Sequence, residues 1–220
     1  MKPLEIKNLI FDMGNVIIDI DPPRTMQAFA DLAGVELSVV LDKIRETQLF
    51  HRHESGQIDE HELRNIFREE LNGNWADAEL DSCWNALLFP LPKERLHLLE
   101  SLGQHFKVYL LSNTNAIHLR EIDRQAQLLT GQPYETLFEQ LFLSYKMGKM
   151  KPHLSIYEQT LADAGILGSE SLFIDDVLDN VNAANQAGIH TIYHNPKQHT
   201  ILDYFDGHTI RSEFVTWVNS

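Results

Sequence analysis

FDMGNVIID, residues 11–19, closes the apolar run Leu9-Ile10-Phe11 with a single carboxylate, Asp12, and follows it with Gly14 and Asn15. A short apolar run that stops on an acid reads as a buried strand whose end faces something polar. The pattern recurs as VYLLS (108–112), LFLS (141–144) and LFID (172–175), and TIY at 191–193 adds a further apolar run. Helical periodicity lies between the later runs. Ile156, Tyr157, Thr160, Leu161 and Ala164, for example, share one face of a helix that Gly165 would end. Strands alternating with helices predict an α/β fold with a parallel sheet, whose ligands gather beyond the carboxyl ends of the strands. Asp12, Ser112, Ser144 and Asp175 fall at those ends.

The interval from Asp12 to Ser112 breaks the rhythm, because helical signals fill it and strand signals are weak. Asp21-Pro22 reads as an N-cap with proline in the first turn, and Met26, Phe29, Ala30 and Ala33 trace a stripe closed by Gly34. A second helix is expected after Ser38. Asp59 and Glu62 have capping-box spacing, and Asp77 can start the helix carrying Cys83 and Trp84. The predicted organisation is therefore a core formed by residues 1–17 and 91–220, with residues 18–90 inserted as a helical cap and FPLP (89–92) as the return hinge.

The 220 residues, 43% of them hydrophobic, suffice for a core of that kind. No run approaches the length of a membrane span, and MKPLEIKNLIFD lacks the apolar stretch of a signal peptide, so a soluble cytoplasmic protein is expected. A net charge of −14 argues against nucleic acid as a partner, yet a few local cations could still hold a small anionic substrate. Cys83 sits at helical spacing among Leu80, Trp84 and Leu87 and reads as a small buried hydrophobe. Oligomeric state is left open.

Four polar clusters converge on one crevice. Asp12 comes with Gly14 and Asn15, where the glycine lets the backbone approach a ligand. Ser112, Asn113 and Thr114 open the next helix and offer a hydroxyl and free N–H groups to an anion. Lys151-Pro152 supplies a cation beside a stiff turn. Asp175 and Asp176, followed by Asp179 and Asn180, form an oxygen-rich group suited to Mg²⁺. Asp179 and Asn180 also read as caps of the helix that follows.

FDMGNVIID, LLSNTN (110–115), KMKPHLSIYEQTL (149–161) and LFIDDVLDNVNAANQAGI (172–189) together resemble the haloacid dehalogenase-like hydrolases, in that family's order and over nearly the whole chain. The resemblance implies a Rossmann-like core with a C1-type helical cap. DMGNV, DIDPPR (19–24) and HRHESGQIDEHELR (51–64) resemble the branch of sugar-phosphate phosphatases acting on glucose 1-phosphate. The implied function is Mg²⁺-dependent hydrolysis of small phosphorylated metabolites through an aspartyl-phosphate. Asp12 would be the nucleophile, and Ser112 and Lys151 would act on the phosphoryl group. Asn15 and Asn113 would help to bind it, and Asp12, Gly14, Asp175 and Asp176 would hold Mg²⁺.

The chain departs from the family at Gly14, where most phosphatases carry a second aspartate as general acid and base. Either the leaving group is weakly basic, as in an anomeric sugar phosphate, or a cap residue among Asp19, Asp21, His51, His53 and Glu54 reaches in. A catalytically silent sugar-phosphate binder and a metal-independent 2-haloacid dehalogenase are the competing readings.

Overall fold

The computed structural model describes residues 5–218, so the first four positions of the core segment 1–17 and the last two of 91–220 lie outside the described residues. Five strands, β1 (Asn8–Phe11), β2 (Lys107–Ser112), β3 (Gln140–Leu143), β4 (Ser171–Asp175) and β5 (His190–Tyr193), form one sheet in the order β3-β2-β1-β4-β5. All four pairings are parallel, with Phe11 opposite Leu110 on one side and Ile174 on the other. The chain leaves β1 toward β2 and β3 and later returns to β1's other edge as β4. This reversal opens a crevice at the carboxyl ends of β1 and β4, where Asp12 and Asp175 stand.

Both sheet faces are covered, which is why the strands are apolar throughout and do not alternate with polar residues. Leu9, Phe11, Leu110, Leu172 and Ile174 face one core with Leu96, Leu99 and Ile122, while Ile10, Tyr109, Leu111 and Phe173 face another with Ile156, Tyr157 and Ala184.

The long interval holds five helices: α1 (Pro22–Ala33), α2 (Leu37–Thr47), α3 (Leu49–Glu54), α4 (Glu60–Glu70) and α5 (Asp77–Trp84). They enclose a core of their own around Phe29, Phe67 and Trp84, and Phe29 stacks on Phe67 with ring centroids 3.8 Å apart. Two short backbone contacts tie the segment's ends together, an Ile20–Leu88 bridge and the Phe89 N–H on the Asp19 carbonyl at 3.1 Å. The remaining helices are α6 (Lys93–Leu102), α7 (Ala116–Thr130), the single turn α8 (Ser144–Met147), α9 (Leu154–Ala164) and α10 (Leu178–Gln186). Among the described residues no helix is long and apolar enough to cross a membrane.

Most local expectations hold, with instructive differences. Gly34 and Gly165 close their helices at φ 64°, where glycine avoids the steric cost of a Cβ. Asp21 precedes α1, but its side chain makes no capping bond. Helix α2 starts at Leu37, one residue before Ser38. The Asp59 carboxylate accepts from the Glu62 N–H at 2.8 Å, whereas Glu62 turns to Arg52 and leaves the box half made. The sequence reading missed α3, a six-residue helix entered through Gln48 at φ 50°. It carries His51, His53 and Glu54.

Candidate active site

Lys151 is the hub. Its ammonium reaches Asp12 Oδ1 and Asp175 Oδ2, both at 2.7 Å, and donates to the Leu111 carbonyl at 3.0 Å. Its side chain is only 2% exposed, unlike those of the nearby Lys146 and Lys149, which separates it from solvated charges. Burial alone would lower its pKa, but the carboxylates of Asp12 and Asp175 outweigh that and hold it protonated. The lysine's place is set by Asn113, whose amide donates to the Lys151 carbonyl and accepts its N–H, each at 2.9 Å. Asn113 therefore spends its side chain on the backbone of Lys151, and its remaining means of holding an anion is its own N–H.

Asp12 stands just past β1, its N–H bound to the Ile174 carbonyl at 2.9 Å. Lysine binds Oδ1, which keeps a second lone pair for a ligand, and Oδ2 accepts no side-chain hydrogen bond among the described residues. Burial pushes this carboxyl above the ordinary range, with Lys151 pulling the other way and Asp175 adding to the rise. Asp175 is wholly buried and committed within the protein: Oδ1 accepts from the Val177 N–H at 2.8 Å, and Asn180 donates to both oxygens at 3.0 Å. Asn180 thus orients Asp175 from the first turn of α10; it does not act as the cap, a position held by Val177. Asp176 spends Oδ2 on the Asn15 amide at 2.9 Å. Asn15, at φ 56°, also accepts from the Ile20 N–H at 3.1 Å, so its side chain braces Asp176.

One oxygen from each of Asp12, Asp175 and Asp176 lies within 4.8 Å of the other two. Three carboxylates against one ammonium leave an excess of negative charge at a mostly buried point. A hard divalent cation with oxygen ligands fits that excess, and Mg²⁺ suits so few protein ligands because it keeps waters for the rest. Ligand capacity differs between the two adjacent acids. Mg²⁺ should raise the melting midpoint of the wild type; Asp176→Ala should abolish that shift, whereas Asp175→Asn should retain part of it while melting earlier without metal. Thermal melts with and without Mg²⁺ would refute this assignment if the order were reversed.

Beyond the carboxylates lies a cleft of about 140 Å³ lined by Met13, Gly14, Ile20, Phe50, Glu54 and Ser112, among others. Ser112, at the end of β2, is buried, and among the described residues its hydroxyl makes only a long 3.4 Å contact to the Asn113 carbonyl, so it is free to serve a ligand. The space beside Gly14 is not vacant: a Cβ there would lie 2.9 Å from Ile20 Cδ1. That methyl ends a flexible side chain and can turn aside, so Gly14→Asp is expected to cost no more than about 1 kcal/mol of stability from packing. Chemical denaturation of the variant checks this, and a loss of several kcal/mol would refute it.

Of the five acids and histidines considered for reach into the site, only Glu54 lines the cleft. Burial, then the charge of Asp12, pushes its carboxyl up to about 7, against the pull of Lys151. The Ser144 hydroxyl donates to the Glu54 carbonyl at 2.6 Å and accepts the Thr114 N–H at 3.0 Å, pinning the end of α3 to the crevice. Asp19 is instead paired with Arg95 at 2.8 Å, His51 is exposed, and His53 is buried with Nδ1 on the Ile58 carbonyl at 3.2 Å. Asp21 stays at the start of α1.

Residues 6–188 match the family model of the haloacid dehalogenase-like hydrolases. The chain is 30% identical over 186 residues to D-ribitol-5-phosphate phosphatase of Bacteroides thetaiotaomicron, covering 84% of this chain and 90% of that protein. It is 28% identical to a sesquiterpene phosphatase of Aspergillus oryzae, over 83% of this chain and 87% of that one. Among solved structures, a B. thetaiotaomicron enzyme of this family in complex with magnesium and inorganic phosphate superposes with a TM-score of 0.84 at 32% identity, covering 91% of this chain and all of that one.

Proposed function

The chain belongs to the haloacid dehalogenase-like hydrolases, and on that premise we propose that it is a Mg²⁺-dependent phosphomonoesterase that works through an aspartyl-phosphate on small polyhydroxylated phosphates. The observation that carries this reading is the convergence of Asp12, Asp175 and Asp176 within 4.8 Å around a buried, doubly paired Lys151. Asp12, Asp176 and the Gly14 carbonyl would hold Mg²⁺, with Asp175 behind them, and the ion supplies positive charge to the transferring phosphoryl group.

The residues divide the work as follows. Lys151 holds Asp12 Oδ1, which turns Oδ2 toward phosphorus. The Asp12–phosphorus bond forms as the ester oxygen departs. Ser112 and the N–H of Asn113 receive the non-bridging oxygens, and Lys151 offsets their charge. Glu54, its carboxyl pushed up to about 7 and so partly protonated at neutral pH, gives its proton to the leaving oxygen. It then takes one from the water that cleaves the aspartyl-phosphate, releasing inorganic phosphate and restoring both carboxyl groups. Residues 18–90 act as a cap that delivers Glu54.

Glu54 changes the substrate argument. With an acid available, a weakly basic leaving group is not required, so primary alcohol phosphates such as the ribitol 5-phosphate of the Bacteroides relative belong to the substrate class alongside glucose 1-phosphate. It also removes the motive for a silent binding protein, which rested on the lack of an acid at Gly14. A dehalogenase has no use for the third carboxylate. Phosphate release from p-nitrophenyl phosphate and an alditol phosphate, with Mg²⁺ and with excess chelator, tests the reading: turnover is expected only with metal. Turnover indifferent to chelator would overturn it.

A further inference from the structure

The mechanism leaves one wall of the cleft unused. Thr114 and His118 both line it, at the start of α7. Thr114 is 1% exposed, and its Oγ1 has no hydrogen-bond partner among the described residues. A buried hydroxyl without a partner loses its hydration without compensation, so its position calls for an explanation. Mobility does not supply one, because the Ser144 hydroxyl pins the Thr114 backbone. His118 is equally fixed. Its ring stacks on Trp84 with centroids 5.7 Å apart, and its Nδ1–H donates to Asn85 Oδ1 at 2.9 Å, which leaves Nε2 as an acceptor. Trp84 is held in turn by its indole N–H on Asn115 Oδ1 at 3.3 Å. Burial keeps the imidazole neutral, its pKa drawn down to about 3, with His53 adding to the effect.

We propose that Thr114 Oγ1 and His118 Nε2 form a subsite that receives hydroxyl groups of the substrate's leaving portion. This deepens the phosphatase reading and rests on it for the orientation of the ligand. Thr114 can donate or accept and His118 accepts, so each can bond a hydroxyl of a polyhydroxylated leaving portion. Much of the rest of the cleft is apolar, with Met13, Ile20, Phe50 and Leu88 facing it, and cannot make such bonds. The subsite therefore selects hydroxylated chains over alkyl chains of the same length, because an alkyl chain would leave both polar atoms unpaired.

Binding read without turnover tests this. In an Asp12→Asn background with Mg²⁺, calorimetric titration would give the Kd ratio of n-pentyl phosphate to ribitol 5-phosphate. The alditol phosphate should bind at least about tenfold tighter. Adding Thr114→Val, which keeps the volume and removes the hydroxyl, should reduce that ratio about fivefold or more, mainly by weakening the alditol phosphate. His118→Phe, which keeps the ring on Trp84, should do the same. A ratio near one before substitution, or equal weakening of both ligands by Thr114→Val, would overturn the subsite. If the Asp12-intact enzyme hydrolyses no phosphate ester while the ratio behaves as described, the phosphatase reading fails and the subsite stands.

Discussion

Asp12→Asn is expected to lower kcat by at least about 10³-fold on every substrate, because an amide fills the carboxylate's volume but does not attack phosphorus. The fold should survive. Lys151 keeps Asp175 Oδ2 and the Leu111 carbonyl as partners, and the substitution removes one of three crowded acids. The melting midpoint should therefore stay within about 4 °C of the wild type without metal. Steady-state phosphate release and a thermal melt on the same preparation check both halves. Activity within tenfold of wild type would remove Asp12 from the role of nucleophile, and a collapsed melt would reassign it to stability.

Glu54→Gln carries the second large effect. Protonation of the leaving oxygen is worth about 10²–10⁴-fold where that oxygen is a basic alkoxide and far less where it is a stabilised phenolate. The variant should thus lose at least about 10²-fold in kcat on ribitol 5-phosphate and under tenfold in the first step with p-nitrophenyl phosphate, followed as the burst of nitrophenol. Loss of similar size on both would mean that Glu54 supports the cleft and does not donate a proton. The Ser144–Glu54 bond uses the backbone carbonyl, so glutamine leaves it in place.

The sheet was legible because each strand is a short apolar run bounded by polar residues, a local property. The positions of Asp12, Ser112 and the Asp175-Asp176 pair followed, since a parallel sheet brings strand ends together whatever the loops do, whereas Lys151, in the loop between α8 and α9, was singled out by the proline that follows it. What each neighbour does was less legible. Asn15, Asn113 and Asn180 read as ligand groups or caps, yet each spends its side chain holding another residue: Asp176, the Lys151 backbone and Asp175. That depends on pairs separated by up to 161 positions, which periodicity does not report.

Helix α3 was missed for a related reason. Six residues, LFHRHE, are too few to show a stripe, and the turn is held by docking rather than propensity: Phe50 stacks on Trp84 at 4.6 Å, and Ser144 binds its end. Hence Glu54 could only be one of five candidates. Thr114 was read as part of an anion site through its backbone. Its unpartnered hydroxyl emerges only once the surrounding side chains are placed.

The most direct test of the aspartyl-phosphate mechanism is to quench the wild-type enzyme in acid during turnover of a ³²P-labelled alditol phosphate with Mg²⁺, then locate the label by peptide mapping. The account predicts hydroxylamine-labile label on the peptide carrying Asp12, absent when Mg²⁺ is chelated. Steady turnover with no labelled peptide under any quench time, or label on a different peptide, would contradict it.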